Sequence, residues 1–238
     1  MITLPASSSV YVCGDIHKGF PRFQNYLNHL PTRSTVILLG DYDAHDKNVL
    51  LEYKRLFERL GMLAILLRGN HDKPEFWQNR KLAQELQSPH FYLCEEVDHL
   101  RWKNFDFLTV NGAISVDRKA LRFHRGKSYP ASEPMPTDAL KIVQSLKSEV
   151  TAFHSLFTHT GVLESLPIQS PFVESFVPMD PNLINDLNEE RNQLLKIQLA
   201  SRAKHHYFGH FHRSETELQF GVTARCLNIC EIMAIDAS

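Results

Sequence analysis

The sequence is short of several things. Four cysteines (Cys13, Cys94, Cys226, Cys230) stand in 238 residues. They form no C-x-x-C pair and no disulfide spacing. That excludes a disulfide-stapled scaffold, points to a reducing compartment, and leaves no Cys-rich structural zinc site. Charge of one sign is not in excess: 26 Lys and Arg meet 27 Asp and Glu, for a net charge of −1. A chain that lives on nucleic acid or an anionic surface carries a surplus of Lys and Arg; there is no strong nucleic-acid signal here. No uninterrupted apolar run reaches the ~20 residues of a membrane helix, so no membrane contact is expected. Met1 to Val12 has no basic residue ahead of a long apolar run. No signal peptide is therefore expected, and a cytoplasmic location follows as the reading. Internal repeats and low-complexity segments are absent too.

What is present is an ordinary globular composition, 43% hydrophobic and 22% charged. At ~150 residues per domain the length allows one large domain or two small ones. Short apolar runs recur, each ending in a Gly-containing loop. Val10 to Cys13 leads into Gly14-Asp15-Ile16-His17, Thr35 to Leu39 into Gly40-Asp41, and Leu63 to Leu67 into Arg68-Gly69-Asn70-His71-Asp72. Phe107 to Val110 leads into Asn111-Gly112, Ser155 to Phe157 into Thr158-His159-Thr160-Gly161, and His206 to Phe208 into Gly209-His210-Phe211-His212. Runs that are short, apolar and unalternated read as buried strands. Helical spacing lies between some of them. Asp46 to Leu60 is followed by Gly61 as a stop; a helix runs from Thr137 or Asp138 to about Val150; Pro181 to Ala203 turns Leu183, Leu187, Leu194 and Ile197 inward. Thr216 to Ile235 reads as further strands. Strands alternating with helices predict an α/β fold in layers. The Pro-rich and Ser-containing stretch Arg125 to Pro136 reads as a surface loop, because strand-plus-ligand motifs lie on both sides of it. One domain over residues 1–238 is the expectation.

Thirteen histidines are many for this length, and several sit beside Asp, Asn and Gly just past a strand. Function in open α/β sheets gathers beyond the carboxyl ends of strands. Asp15 and His17 can reach one point if their loop turns. Asp41 has two oxygens and can bridge two cations. Asn70 offers a neutral carbonyl oxygen; His159, His210 and His212 offer imidazoles. Mixed N and O donors without thiolate suit Mn, Fe, Zn or Co better than Ca. An Asp-x-His or a Gly-Asp is weak alone, but five such elements in series, each directly after an apolar run, are not a chance assembly. His29, His90, His99, His124, His154, His205 and His206 read as packing or surface residues, and Trp77 and Trp102 as packing residues.

This series, Gly14-Asp15-Ile16-His17, Gly40-Asp41, Gly69-Asn70-His71-Asp72, His159 and Gly209-His210-Phe211-His212, resembles the calcineurin-like metallophosphoesterase superfamily over most of the chain. The resemblance implies two β-sheets packed face to face and flanked by helices, an αββα sandwich. It implies one metal held by Asp15, His17, Asp41 and His212, and a second held by Asp41, Asn70, His159 and His210, with Asp41 shared. His71 would lie near the leaving group, with Asp72 orienting it, and Asn70 and His71 would contact phosphate. His45 stands where the protein Ser/Thr phosphatases place an Arg for phosphate, which points away from that branch. Asn111 to Arg118 resembles a Gly-Gly-Ala-x-Ser-x-Asp-Arg element of bacterial and phage members. Arg118 there either supplies the missing phosphate-binding cation or pairs with a neighbouring acid. The basic cluster Arg118, Lys119, Arg122, His124, Arg125 and Lys127 is a solvated face or a guide for a phosphorylated substrate.

The donor set suits the chemistry. Two divalent ions ~3.5–4 Å apart clamp the attacking and leaving oxygens of an ester and lower the pKa of a bridging water. Two carboxylates and a bridging hydroxide leave such a site one net positive charge, enough to attract phosphate, whereas four or five carboxylates would repel it. The expectation is a metallophosphatase: a phosphomonoesterase acting through a metal-bridging hydroxide, with manganese the first choice of metal and Fe, Zn, Co or Ni as substitutes. A phosphorylated small molecule or a phosphoprotein would be the substrate. A phosphodiesterase or nuclease is the alternative, then a non-catalytic partner-binding module. Oligomeric state is not legible.

Overall fold

β-Branched and leucine-rich runs bounded by Gly and Asp leave the chain few alternatives to buried strands. The computed structural model describes residues 1–120, 133–162, 168 and 170–236. All six apolar runs are strands: β2 (Val10–Cys13), β3 (Thr35–Leu38), β4 (Leu63–Leu66), β7 (Phe105–Val110), β8 (Ser155–Thr158) and β9 (His205–Phe208). The rest are β1 (Ile2–Thr3), β5 (Phe91–Leu93), β6 (Val97–Trp102), β10 (Glu215–Gln219), β11 (Val222–Cys226) and β12 (Ile232–Ala234). One sheet has seven strands in the order β1-β6-β7-β8-β9-β11-β10; the other has five in the order β12-β2-β3-β4-β5. In the smaller sheet β2, β3, β4 and β5 are parallel and β12 is antiparallel. In the larger, β7, β8 and β9 are parallel. The parallel strands therefore deliver their following loops to one end of each sheet.

Alternation along each strand sorts three apolar layers. Val12, Ile37 and Ile65 from the small sheet meet Phe107, Phe157 and Tyr207 from the large one, so the two sheets share a core. On the outer face of the small sheet, Val36, Leu38, Ala64 and Leu66 pack on α1 (Phe20–Leu27) and α2 (Lys47–Leu60) through Phe23, Leu50, Tyr53 and Phe57. Short helices α3 (Glu75–Gln78) and α4 (Arg80–Leu86) complete that layer, where Trp77 is buried. On the outer face of the large sheet, Leu108, Val110 and Leu156 pack on α5 (Ala139–Leu146) and α7 (Leu183–Ser201). Each fully buried Leu, Ile or Phe is worth ~1.5–3 kcal/mol over exposure. The fold is thus the αββα sandwich of two mixed sheets.

Helix ends follow local chemistry. Asp46 caps α2 by accepting the Asn48 N–H at 2.9 Å, and Gly61 ends it at φ 63°, a left-handed conformation that glycine adopts without strain. The helix expected to run to about Val150 stops at Leu146. In α7, Leu183, Leu187, Leu194 and Ile197 face inward as the spacing predicts. Among the described residues no helix is long and apolar enough to cross a membrane. Most of the stretch read as a surface loop, and Arg122, His124, Arg125 and Lys127, lie outside the described residues.

Candidate metal centre

Five loops past β2, β3, β4, β8 and β9 meet at one point. The ligating atoms of Asp15, His17 and His212 lie within 4.8 Å of one another, and so do those of Asp41, His159 and His210. The two groups join at Asp41: its Oδ2 is 3.6 Å from His17 Nε2 and 3.3 Å from His159 Nε2. His212 Nε2 is 3.0 Å from Asp15 Oδ2 and 2.9 Å from His17 Nε2. Asn70 Oδ1 is 2.8 Å from His159 Nε2 and 2.9 Å from His210 Nδ1. All seven residues expected as metal ligands are brought together.

The backbone around them is bent hard. Of the ten non-glycine residues with positive φ among the described residues, five are His17, Asp41, Asp43, His210 and His212. Such conformations cost on the order of 1–3 kcal/mol each and gather where function over-determines the chain. Two glycines let the carboxylates lie against the opposing loops. A Cβ on Gly69 would stand 2.1 Å from Asp41 Oδ1, and one on Gly209 would stand 2.0 Å from Asp15 Oδ1.

Further groups aim the donors. His17 Nδ1 lies 3.4 Å from Asp43 Oδ1, which leaves Nε2 facing Asp15 and Asp41. His159 Nδ1 donates to the Leu39 carbonyl at 2.8 Å and so presents Nε2. Asn70 Nδ2 donates to Ser115 Oγ at 2.8 Å, which turns Oδ1 toward the histidines. Partners of this kind fix the orientation of metal-ligating side chains. The roles of Asp43, Ser115 and the Leu39 carbonyl were missed in the sequence; the hints were an acid two residues past a ligand in Gly40-Asp41-Tyr42-Asp43, and the Ser of the Asn111 to Arg118 element.

The electrostatics call for cations. Burial alone would push the His159 imidazole down, but the Asp41 and Asp15 carboxylates outweigh it and raise it to about 10. Burial would raise the Asp41 carboxyl, and His159, His71 and His17 instead hold it far below the usual range. His210 is pushed down to about 3 by burial and by His159. Two buried carboxylates with imidazole and amide donors around them fit a pair of divalent ions of the Mn, Fe, Zn or Co kind.

Two expectations are corrected. Asp72 does not reach for the His71 ring: its carboxylate accepts the backbone N–H groups of Asp41 (2.8 Å), Tyr42 (2.9 Å), Gly69 (2.9 Å) and Ala44 (3.2 Å). It ties the β3 loop to the β4 loop. Arg118 is not offered to phosphate. Its Nε donates to Asp180 Oδ2 at 2.6 Å and its Nη2 donates to Asp186, and Lys119 joins at Asp180 Oδ1, 2.6 Å. His71 has its ring centroid 5.1 Å from that of His17. It borders the centre on two sides: a hollow it shares with His45, and a cleft of about 620 Å³. Arg191, Arg213 and Glu190 also line that cleft and went unread in the sequence. Glu190 had a signal: it falls on the inward stripe of α7, between Leu187 and Leu194.

The family model of calcineurin-like phosphoesterases matches residues 8–214. No curated protein matches the chain. Among solved structures, phosphopantetheinyl hydrolase of Mycobacterium tuberculosis is similar at 14% identity and TM-score 0.50, covering 94% of this chain and 91% of that one. A protein of Thermus thermophilus is similar at 13% identity and TM-score 0.56, with the same coverage. At such identities these two speak for the fold alone. With 207 of its residues inside the family match and the two sheets that the family implies, the chain belongs to the calcineurin-like phosphoesterases.

Proposed function

We propose that the protein hydrolyses phosphate monoesters with two divalent cations at this centre. The observation that carries the reading is the position of Asp41 Oδ2, between His17 of one donor group and His159 of the other. Asp15, His17, Asp41 and His212 would hold one ion, and Asp41, Asn70, His159 and His210 the other. Bound there, the pair would supply Lewis acidity to the attacking water and to the ester oxygens. The chain's own groups do the rest. Asp43, Leu39 and Ser115 hold the donors in register. His71, at the edge of the cleft, donates a hydrogen bond to a phosphoryl oxygen or a proton to the departing one. Two divalent ions outweigh two carboxylates at the end of the cleft where Asn70, His71 and His210 lie. This favours the dianion of a monoester over the single charge of a diester. The overall charge of −1 gives no support to a long nucleic-acid substrate.

The test is hydrolysis of p-nitrophenyl phosphate and of bis(p-nitrophenyl) phosphate, after chelation and with Mn²⁺ restored. Metal-dependent monoester turnover is expected, lost in Asp41→Asn. Preference for the diester moves the reading to a phosphodiesterase. No turnover of either by a protein shown to bind two ions overturns hydrolysis as its function.

A further inference from the structure

The cleft that begins at Asn70, His71 and His210 does not end there. Much of its lining is apolar: Val116, Ile168, Phe172, Val173, Leu187 and Phe211. Phe172 sits on the short helix α6 (Pro171–Glu174), is 65% exposed and meets Phe176 edge-on at 5.4 Å. A cleft of about 620 Å³ is the size of a small-molecule site. One buried carboxyl side chain is part of its lining. Glu190 is 7% exposed, and its Oε1 has no hydrogen-bond partner. Its neighbours discourage ionisation. Glu133 is buried close by and accepts the Ser115 N–H. Burial, and then the Glu133 carboxyl, push the Glu190 carboxyl up to about 8. The Arg191 guanidinium lies over the Phe211 ring at 6.0 Å from its centroid, and Arg213 pairs with Glu215 at 3.4 Å.

A buried acid with an unpartnered oxygen destabilises the fold unless a partner arrives. Continuity with the metal centre names that partner. We propose that this cleft is the leaving-group subsite, that it takes an uncharged, mainly apolar alcohol bearing a carbonyl or ether oxygen, and that Glu190 donates its carboxyl proton to that oxygen in a hydrogen bond. The proposal rests on the monoesterase reading and narrows its substrate class: the phosphoryl group lies on the metal donors, and an apolar chain extends toward Leu187. Glu190 thereby sets specificity and takes no part in the bond-breaking step.

The test compares three alkyl monoesters of similar leaving-group basicity: ethyl phosphate, hexyl phosphate and a hexyl phosphate bearing a ketone near its far end. Hexyl over ethyl should gain at least about tenfold in kcat/KM, since even one methylene in an apolar pocket is worth about tenfold or more. Glu190→Gln, which keeps a neutral donor, should turn over the keto ester within about threefold of the native chain. Glu190→Leu should lose about tenfold or more on the keto ester while hexyl phosphate holds or improves. Unfolding is monitored by thermal melts of both variants. Ligand-observed NMR of the keto alcohol on the chelated protein gives a readout free of turnover, and binding should vanish in Glu190→Leu alone. If no ester is turned over but the alcohol binds in this manner, the hydrolase reading fails and the subsite stands. Equal rates for ethyl and hexyl phosphate, an unchanged rate of Glu190→Leu on the keto ester, or equal NMR binding in Glu190→Leu overturn the proposal.

Discussion

Asp41 accepts the backbone N–H of His71 at 2.9 Å through Oδ1, which leaves Oδ2 as the oxygen that faces both His17 and His159. Asp15 is held in the same manner by the N–H of His210, at 2.9 and 3.0 Å to its two oxygens. Each carboxylate is therefore fixed by the loop of another strand, and each loop needs a glycine at the point of approach. Gly209→Ala tests that dependence. The added methyl would stand 2.0 Å from Asp15 Oδ1, against a carboxylate that its own hydrogen bonds prevent from moving. Overpacking of this kind costs ~1–3 kcal/mol. The expected outcome is a lower Tm together with fewer than two Mn²⁺ bound per chain by elemental analysis. Full occupancy with unchanged Tm would show that the loop gives way freely.

Asp72 makes a sharper case, because two roles predict different measurements. Its carboxylate gathers four backbone N–H groups from the β3 and β4 loops. In Asp72→Asn one oxygen becomes an NH₂ that faces donors, so buried N–H groups lose their acceptor. About 3 kcal/mol should go, which for a chain of this size is about 10 °C in Tm. Differential scanning calorimetry reads it. A role confined to aiming His71 would lower kcat and leave Tm where it was.

The contrast between these residues shows what a sequence of this kind makes legible. Strands β2, β3, β4, β7, β8 and β9 were readable because buried parallel strands are apolar runs, and the ligands were readable because they follow those runs within a few residues. Asp72 was legible as a site residue and not in its role, since backbone N–H groups leave no mark in a sequence. Arg118 stayed between two readings for another reason: its partners Asp180 and Asp186 lie 62 and 68 residues away, and no periodicity links them. Glu190 sits between the two cases. A Glu on the apolar stripe of α7 is visible in the pattern, but only the packing of α7 beside Ser115 and Glu133 gives it a meaning.

Ser115 carries the third prediction. Its Oγ accepts the Asn70 side-chain N–H at 2.8 Å, and this bond decides which end of the amide meets His159 and His210. Ser115→Ala removes the acceptor without crowding the site. Loss of such an orienting partner costs ~10–100-fold in metal affinity. Titration calorimetry with Mn²⁺ should show one of two binding steps weakened by that factor, the step assigned to the Asn70 side. Two unchanged steps would mean that packing alone holds the amide.

The last prediction concerns pH. Burial raises the Glu190 carboxyl from 4.5 to about 8, with the neighbouring Glu133 carboxyl, itself raised to about 8 by burial, adding to it. An unfolded chain gives up this proton above its ordinary value, and the folded chain keeps it. Between those two values the folded state thus binds more protons, so stability is greatest at the acid side and falls as pH rises toward about 8. The slope for one such carboxyl is at most about 1.4 kcal/mol per pH unit. Other buried groups, His159 and His206 among them, titrate over neighbouring ranges, so the informative quantity is a difference between variants. Urea unfolding of the chelated protein should show the native chain losing stability relative to Glu190→Gln on going from about pH 5 to about pH 8, because the amide has no proton to lose. Parallel curves for the two would mean that Glu190 is ionised in the folded protein, and the pairing that holds its charge would then have to come from Arg191.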